Sequence, residues 1–490
     1  MVPNRGEIAV RIARTCREMG IASVLAHAED DIGIPAGRLF DSTVSLGTGD
    51  ARETYLDVAS IIDAARTSRA DAIHPGYGFL SERAELAAAC EEIGIVFIGP
   101  RSDSIELVGS KAASRTLMER AGVPVVPGYH GDDQSDETLV DQGERIGFPL
   151  LVKASAGGGG KGMKVVRSAG ELVPAIESAR REALKAFGDE RLLLERFIER
   201  PRHVEIQIFG DAEGNMLHLF ERDCSIQRRH QKVIEETPAP HYSSELREKM
   251  SESAISAARA AGYVNAGTVE FLLTDDGHHY FLEMNTRLQV EHPVTEMALG
   301  IDLVRAQILV AGGERTPWNQ EDLAQRGHAV ECRIYAEDPD DRFLPQTGTI
   351  SVYREPSGPG IRVDSGIAAG SEVSVHYDPL LAKVIAHGET REASIARLAA
   401  ALSDYPILGV KTNASFLRRV IMHPSFIAGE VDTELLVRHA GDLALRPPDA
   451  HLVALAAVLG EQRSGDRKDR AAGSGPSIPS VWETIGNWRG

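Results

Sequence analysis

Gly267-Thr-Val-Glu-Phe-Leu-Leu-Thr-Asp-Asp-Gly-His-His-Tyr-Phe-Leu-Glu-Met-Asn-Thr-Arg-Leu-Gln-Val-Glu-His-Pro293 sets two apolar-rich runs around the dipeptide Asp276-Gly277. That dipeptide favours a two-residue hairpin turn, since glycine accepts the positive φ such turns require. The turn sets Asp275 against His278, and counting back along both strands brings Glu270 opposite Glu283. Two carboxylates about 5 Å apart destabilise a sheet unless a cation lies between them, and all-oxygen donors select Mg²⁺ or Mn²⁺. Two solvated strand glutamates are the alternative, and a slip of one residue would separate the pair. Downstream, Glu283, Asn285, Arg287, Gln289 and Glu291 occupy every second position, so an extended backbone projects all five to one face until Pro293. Both charge signs in compact order, with no lysine, favour a substrate pocket over a solvated strand.

Upstream, Lys153-Ala-Ser-Ala-Gly-Gly-Gly-Gly-Lys-Gly162 follows the run Pro149-Leu-Leu-Val. Gly157, Gly158, Gly159 and Gly160 let successive N–H groups turn toward an anion, which suits a polyphosphate. A flexible linker would read the same. A P-loop does not fit, because Gly162 rather than Ser or Thr follows Lys161, and a strand comes next. Gln227-Arg-Arg-His230-Gln-Lys232 concentrates cationic groups in an acidic chain, either as an anion site or as solvated surface. Arg333, within His328-Ala-Val-Glu-Cys-Arg-Ile, and Tyr77, in a glycine-flanked loop, are each more often structural than catalytic when judged singly.

Ile8, Ile12, Cys16 and Met19 recur at helical spacing, Gly20 closes the helix, and Ser23-Val-Leu-Ala26 reads as a strand. The alternation continues through a helix near Tyr55 to Arg66, a strand ending at Ile73, the loop His74-Pro-Gly-Tyr-Gly78 and the strand Ile95-Val-Phe-Ile98. It gives a Rossmann-like α/β domain over 1–108. Only Met1-Val-Pro3 precede the first helix, so its leading strand is missing or frayed. A second, α+β, domain covers 109–312, with a mobile lid over 125–197 and strands at His203 to Phe209, Gly267 to Leu273 and His279 to Glu283. A third spans 325–440. Residues 441–490 read as a tail or linker, rich in Gly, Ser and charge from Arg463 to Ser480.

A chain of 490 residues outgrows a single core, in keeping with several domains. Acidic residues outnumber basic ones by 72 to 53, and a net charge of -19 argues against nucleic acid and anionic membrane as partners. Cys16, Cys90, Cys224 and Cys332 form no C-x-x-C pair, which fits a reducing cytoplasm better than zinc or disulfides. The apolar run Leu452 to Leu459 is too short to span a bilayer, and Arg5 and Glu7 interrupt the amino terminus, so no membrane association or export is expected.

Asn4-Arg-Gly-Glu-Ile8, His74-Pro-Gly-Tyr-Gly-Phe-Leu80, Arg222-Asp-Cys-Ser-Ile-Gln-Arg-Arg-His-Gln-Lys232, Val330-Glu-Cys-Arg-Ile334 and the stretch from Glu283 to Pro293 together resemble the biotin carboxylase family of the ATP-grasp superfamily. The resemblance runs from about residue 4 to about residue 440. It implies an ATP-grasp fold, with a Rossmann-like N-terminal (pre-ATP-grasp) domain and a biotin carboxylase C-terminal domain. By the same likeness Lys111, Lys153, the glycine loop and His203 contact ATP, Glu195 and Ile198 lie at the adenine, and Gln227 and His230 line the nucleotide site. Glu270, Glu283 and Asn285 would hold Mg²⁺ or Mn²⁺. Lys232, Arg287, Gln289 and Val290 would hold bicarbonate, with Glu291 as the base that lets it attack the γ-phosphate to give carboxyphosphate. Arg333 would stabilise the biotin enolate, with Tyr77, Asp378 and Arg11 nearby. The family loop commonly carries glycine where Ala156 stands, a difference that stiffens the loop without removing a catalytic group.

The last stretch, Val481-Trp-Glu-Thr-Ile-Gly-Asn-Trp-Arg-Gly490, resembles the start of the region that follows the carboxylase domain in acyl-CoA carboxylase α subunits. No Ala-Met-Lys-Met-like biotinylation sequence occurs, since Met163-Lys164 belongs to the glycine loop. Biotin is therefore expected as a substrate on a carrier protein or domain outside this sequence, as for a truncated α subunit. A homodimer working with a biotin carboxyl carrier and a carboxyltransferase β subunit is implied. The alternatives are another ATP-grasp ligase of the carbamoyl phosphate synthetase kind and a catalytically silent assembly scaffold.

Overall fold

In the computed structural model the helix Gly6–Met19 buries Ile8, Ile12 and Cys16 and ends where Gly20 turns to φ 68°, a left-handed cap that glycine takes without steric cost. Residues 1–31, 35–155 and 163–445 are described, without the side chains of 111, 112, 186 and 187. The described elements fall in one unit, Met1–Leu443; of a second unit, Ala444–Gly490, all beyond residue 445 lies outside the described residues, and with it most of the expected tail.

Strands Val24–His27 and Ser42–Ser45 pair in parallel, as do Ala72–Ile73 and Val96–Phe97. The leading strand, expected to be missing or frayed, survives as two residues. Val2 donates to Val24 O at 2.8 Å and accepts from Ala26 N at 3.0 Å, while Met1 O accepts from His74 N at 3.0 Å. Met1-Val2 thus bridges the two parallel pairs and delivers Asn4 to the loop behind Ile73. There Asn4 Nδ2 donates to Pro75 O at 2.7 Å and Tyr77 O at 2.8 Å, which fixes the loop that carries Tyr77.

Residues 128–196 build a four-stranded antiparallel sheet in the order Gly128–Tyr129, Leu192–Arg196, Leu150–Ala154, Lys164–Val166. Helices Asp136–Ile146 and Ala169–Phe187 close it around a core of its own, including Leu139, Val152, Leu172 and Leu194. This small unit carries Lys153 and Glu195 on adjoining strands.

Eight strands form the main antiparallel sheet: β1 (Arg202–Gly210), β2 (Met216–Arg228), β3 (Gln231–Thr237), β4 (Asn265–Leu273), β5 (His279–Asn285), β6 (His328–Tyr335), β7 (Ile361–Ser365) and β8 (Leu380–Gly388). Their order is β5-β4-β1-β2-β3-β6-β8-β7, so one sheet joins residues 202–285 to residues 328–388. Helix Arg391–Ser403, capped by Thr390 Oγ1 on Ala393 N at 3.2 Å, covers β8 and β6 through Ile395, Leu398 and Leu402. Each such side chain contributes about 2 kcal/mol by leaving water.

β2 and β3 were not expected from the sequence. Glu221, Arg222, Asp223, Ser225, Glu235 and Glu236 are all buried, so charge falls on both sides of these strands and hides the period of two.

The hairpin β4–β5 corrects one expectation while preserving its consequence. The turn holds three residues, Asp275 to Gly277: Thr274 N donates to His278 O at 2.9 Å, Gly277 N to Thr274 O at 3.0 Å, and Gly277 sits at φ 81°. That shifts the register by one, pairing Phe271 with Phe281. Leu282 then stands as an extra residue in a bulge, and Glu270 pairs with Glu283 after all. A second correction follows at Asn285, where the strand ends. Arg287, Gln289 and Glu291 lie on a loop, not on an extended strand, and Glu291 stands at the N-cap position of the helix His292–Leu299 without a side-chain capping bond, with Pro293 in the first turn.

Candidate active site

A cavity of about 1400 Å³ opens over the main sheet from β5 across to β6, roofed by the small four-stranded unit. Of the residues singled out in the sequence, Tyr77, Lys153, Glu195, Ile198, His203, Gln227, His230, Lys232, Glu270, Glu283, Asn285, Arg287, Gln289, Val290, Glu291, Arg333 and Asp378 line it. The side chain of Lys111 and the glycines Gly157, Gly158, Gly159 and Gly160 lie outside the described residues. Arg11 does not line the cavity. It is buried and held by Glu296 at 2.8 Å and Asp302 at 2.7 Å, a pairing whose partners lie too far along the sequence from Arg11 for spacing to reveal.

The basic cluster is the tip of the β2–β3 hairpin. Arg229 at φ 50° and His230 at φ 66° form its turn, and Lys232 pairs across it with Gln227. Lys232 Nζ reaches three carboxylates: Glu205 Oε2 at 2.6 Å, Glu270 Oε1 at 2.6 Å and Glu291 Oε1 at 2.8 Å. Arg333, from β6, donates through Nη2 to Glu291 Oε2 at 3.0 Å and lies 2.6 Å through Nε from Glu235. Beneath them Arg222, fully buried, is held by Glu205 at 2.5 Å, Gln207 at 2.7 Å, Thr295 at 2.9 Å and Thr268 at 3.1 Å.

These charges set the protonation states. Burial alone would raise Glu291, but Lys232, Arg333 and Arg222 hold it well below the usual carboxylate range. Glu270 is likewise depressed, against its burial, by Lys232 and His203, whose Nε2 lies 2.7 Å from Glu270 Oε2. Glu235 is pushed up to about 7, because burial outweighs Arg333. Shelter within the cavity and the charge of Glu270 raise Glu283. A carboxyl raised by its cross-strand neighbour is what an oxygen-selecting cation would relieve, so Glu270 and Glu283 fit Mg²⁺ or Mn²⁺. Asn285 gives Nδ2 to Glu270 at 2.8 Å and takes Arg287 Nη2 on Oδ1 at 3.2 Å, so its carboxamide would have to turn to join them.

Lys153 Nζ lies 2.5 Å from Glu195 Oε2, and Arg115 lies 3.2 Å from Glu195 Oε1. His203 Nδ1 meets Gln227 Nε2 at 2.7 Å, so that pair bridges β1 and β2 at the cavity wall. Arg287 is steadied by Glu82 at 3.0 Å and by Gln289 Oε1 at 2.6 Å.

Family comparisons divide the chain into consecutive matches. Residues 1–105 match the biotin carboxylase N-terminal domain, 110–318 the carbamoyl-phosphate synthase L chain ATP-binding domain, and 331–438 the biotin carboxylase C-terminal domain. Biotin carboxylase 1 of Bacillus subtilis is 46% identical over 437 residues, covering 89% of this chain and 97% of that protein. The chain belongs to the biotin carboxylase family.

The biotin carboxylase domain of Hydrogenobacter thermophilus 2-oxoglutarate carboxylase, a dimer solved with MgADP, ADP and bicarbonate, superposes with a TM-score of 0.85 at 45% identity, covering 91% of this chain and 98% of that one. Methylcrotonoyl-CoA carboxylase subunit alpha of Dictyostelium discoideum, a mitochondrial protein, is 48% identical over 495 residues, spanning all of this chain and 70% of that subunit. Against the rat subunit the chain spans 62% of the length. Among the described residues no helix is long and apolar enough to cross a membrane. Sequence reasoning missed Glu205, Arg222, Glu235 and Glu82, all polar partners of the expected biotin carboxylase residues. Arg222 stood inside a quoted motif, and its place next to Asp223 in an apolar-flanked run was the only available signal.

Proposed function

We propose that this chain is the biotin carboxylase component of a biotin-dependent carboxylase, forming carboxybiotin, ADP and phosphate from ATP, bicarbonate and carrier-borne biotin. The observation that carries the reading is Glu291, ionised and gripped by Lys232 and Arg333 in the same cavity that presents Lys153, Glu195 and the Glu270–Glu283 pair. Lys232 and Arg287 hold bicarbonate. As the anion draws these cations, Glu291 loses part of their compensation and becomes a stronger base beside the proton it must take. A base so placed contributes roughly 10²- to 10⁴-fold. Bicarbonate oxygen then bonds to the γ-phosphorus as its bond to ADP breaks, and carboxyphosphate releases CO₂ and phosphate. Phosphate takes the ureido N1′ proton, and N1′ bonds to CO₂ while Arg333 faces the enolate oxygen, with Tyr77 and Asp378 beside the ring. Held by Glu270 and Glu283, with Asn285 turned toward it, a divalent cation would supply charge neutralisation for the phosphates.

The assembly we propose is a homodimer with a carrier protein or domain and a carboxyltransferase, in a reducing cytoplasm. All four cysteines are free and buried, in keeping with that compartment. The test is ADP formation by the purified chain, with and without bicarbonate and free biotin. Stimulation by biotin supports this reading; a rate indifferent to biotin favours a ligase of the carbamoyl phosphate synthetase kind. No turnover in the presence of nucleotide binding favours a silent scaffold.

A further inference from the structure

Lys383 takes no part in the chemistry above, yet it is completely buried, a rare condition for lysine and a costly one without compensation. It sits on β8 directly opposite Arg333 of β6, so the two cations stand side by side on one face of the sheet. Their targets are also neighbours. Lys383 Nζ donates to Val290 O at 2.7 Å, while Arg333 Nη2 donates to Glu291 Oε2 at 3.0 Å. The counter-charge of Lys383 comes from the start of the helix Gly6–Met19, where Glu7 Oε1 lies 3.1 Å away, with Asp364 Oδ2 at 4.0 Å. Glu7, Val290, Glu291 and Arg333 line the cavity and Lys383 does not.

We propose that Lys383 is a positioning residue for the base: by holding the Val290 carbonyl, with Glu7 as its anchor, it fixes the peptide plane that enters Glu291. Among the described residues the loop after Asn285 has no strand partner, and the helix begins only at His292. A long backbone bond, His292 N to Gln289 O at 3.4 Å, closes the turn over Val290 and Glu291, so the Lys383 bond at 2.7 Å is the shorter restraint on that peptide, and a rotation there swings the Glu291 Cα–Cβ direction away from Lys232 and Arg333. Among the described residues, Lys383 is the hydrogen-bond donor to the Val290 oxygen. This assignment rests on the reading of Glu291 as the bicarbonate base.

Lys383→Met keeps the length and removes the donor. Burial already pushes Glu7 up to about 7, and without the lysine it stays neutral near pH 7, so no naked charge is left behind. In biotin-stimulated ADP formation the variant is expected to lose about ten- to a hundredfold in kcat/KM for bicarbonate, the scale of one charge-assisted hydrogen bond. Its Kd for ADP should stay within about twofold of wild type, because the nucleotide contacts lie elsewhere. Should the single variant fail to fold, Glu7→Gln with Lys383→Met is read on the same scale. A folded variant with wild-type kcat/KM for bicarbonate overturns the assignment, and so does a matching loss of ADP affinity, which marks a structural role. Wild-type protein without bicarbonate-dependent ADP formation overturns the functional reading and this assignment together; wild-type turnover beside an unaffected variant overturns the assignment alone.

Discussion

Replacing Arg333 by methionine separates the biotin half of the reaction from the nucleotide half. Arg333 touches Glu291 at 3.0 Å and Glu235 at 2.6 Å and none of Lys153, Glu195 or His203. Breaking a buried ion pair usually costs about 3–5 kcal/mol, because the partner is left charged and unpaired. Here both partners have relief. Glu235 already sits near 7 and takes up a proton, and Glu291 keeps Lys232 at 2.8 Å. The fold should therefore survive with a loss at the low end of that range. Catalysis should suffer more: a donor facing a developing enolate in a buried site is worth about 10²- to 10³-fold, or about 3–4 kcal/mol. The assay is carboxybiotin formation from labelled bicarbonate, with ADP affinity measured by calorimetry on the same preparation. We expect kcat for carboxybiotin to fall by that factor while the ADP Kd stays within about twofold. Equal losses in both, or an unchanged carboxylation rate, would refute the placement of Arg333 at biotin.

Other perturbations read other parts of the site. Glu283→Gln removes one of the paired oxygens opposite Glu270, and the Mg²⁺ concentration giving half-maximal turnover should rise by about tenfold or more; an unchanged Mg²⁺ titration counts against the cation site. Arg222→Met takes from Glu205 its fully buried partner at 2.5 Å and leaves it Lys232 at 2.6 Å, so the loss should fall toward the low end of about 3–5 kcal/mol, seen as a lowered Tm and poor soluble yield; a neutral substitution would mean that the charge is dispensable. Glu7, at about 7 in the fold against an ordinary 4.5, binds its proton more tightly folded than unfolded, so its share of stability is present in acid and is lost as pH rises from about 4.5 through 7. That share is about 3 kcal/mol, and Glu7→Gln should flatten the fall in Tm between pH 5 and pH 8; an identical slope in both proteins would contradict the assignment.

The facing glutamates were legible because hairpin pairing is a local rule, but the rule worked through compensation. A three-residue turn shifted the register by one and the bulge at Leu282 shifted it back, and neither event has a sequence signature strong enough to read alone. The alternation from Glu283 to Glu291 pointed to one cavity for a different reason than the extended backbone it suggested: the strand stops at Asn285, and the loop then folds Arg287, Gln289 and Glu291 over the same opening. Arg222 and Glu205 stayed hidden because they neutralise each other inside the sheet, where charge normally argues against burial. The ion pairs of Arg11 were equally hidden: its partners Glu296 and Asp302 lie far along the chain, and only tertiary packing brings them to it.

The central claim is that bicarbonate, deprotonated by Glu291, attacks the γ-phosphorus of ATP. Turnover with ¹⁸O-labelled bicarbonate in unlabelled water tests it directly, by mass analysis of the phosphate released. The account predicts one bicarbonate oxygen in each phosphate. Phosphate whose new oxygen comes from water would contradict it.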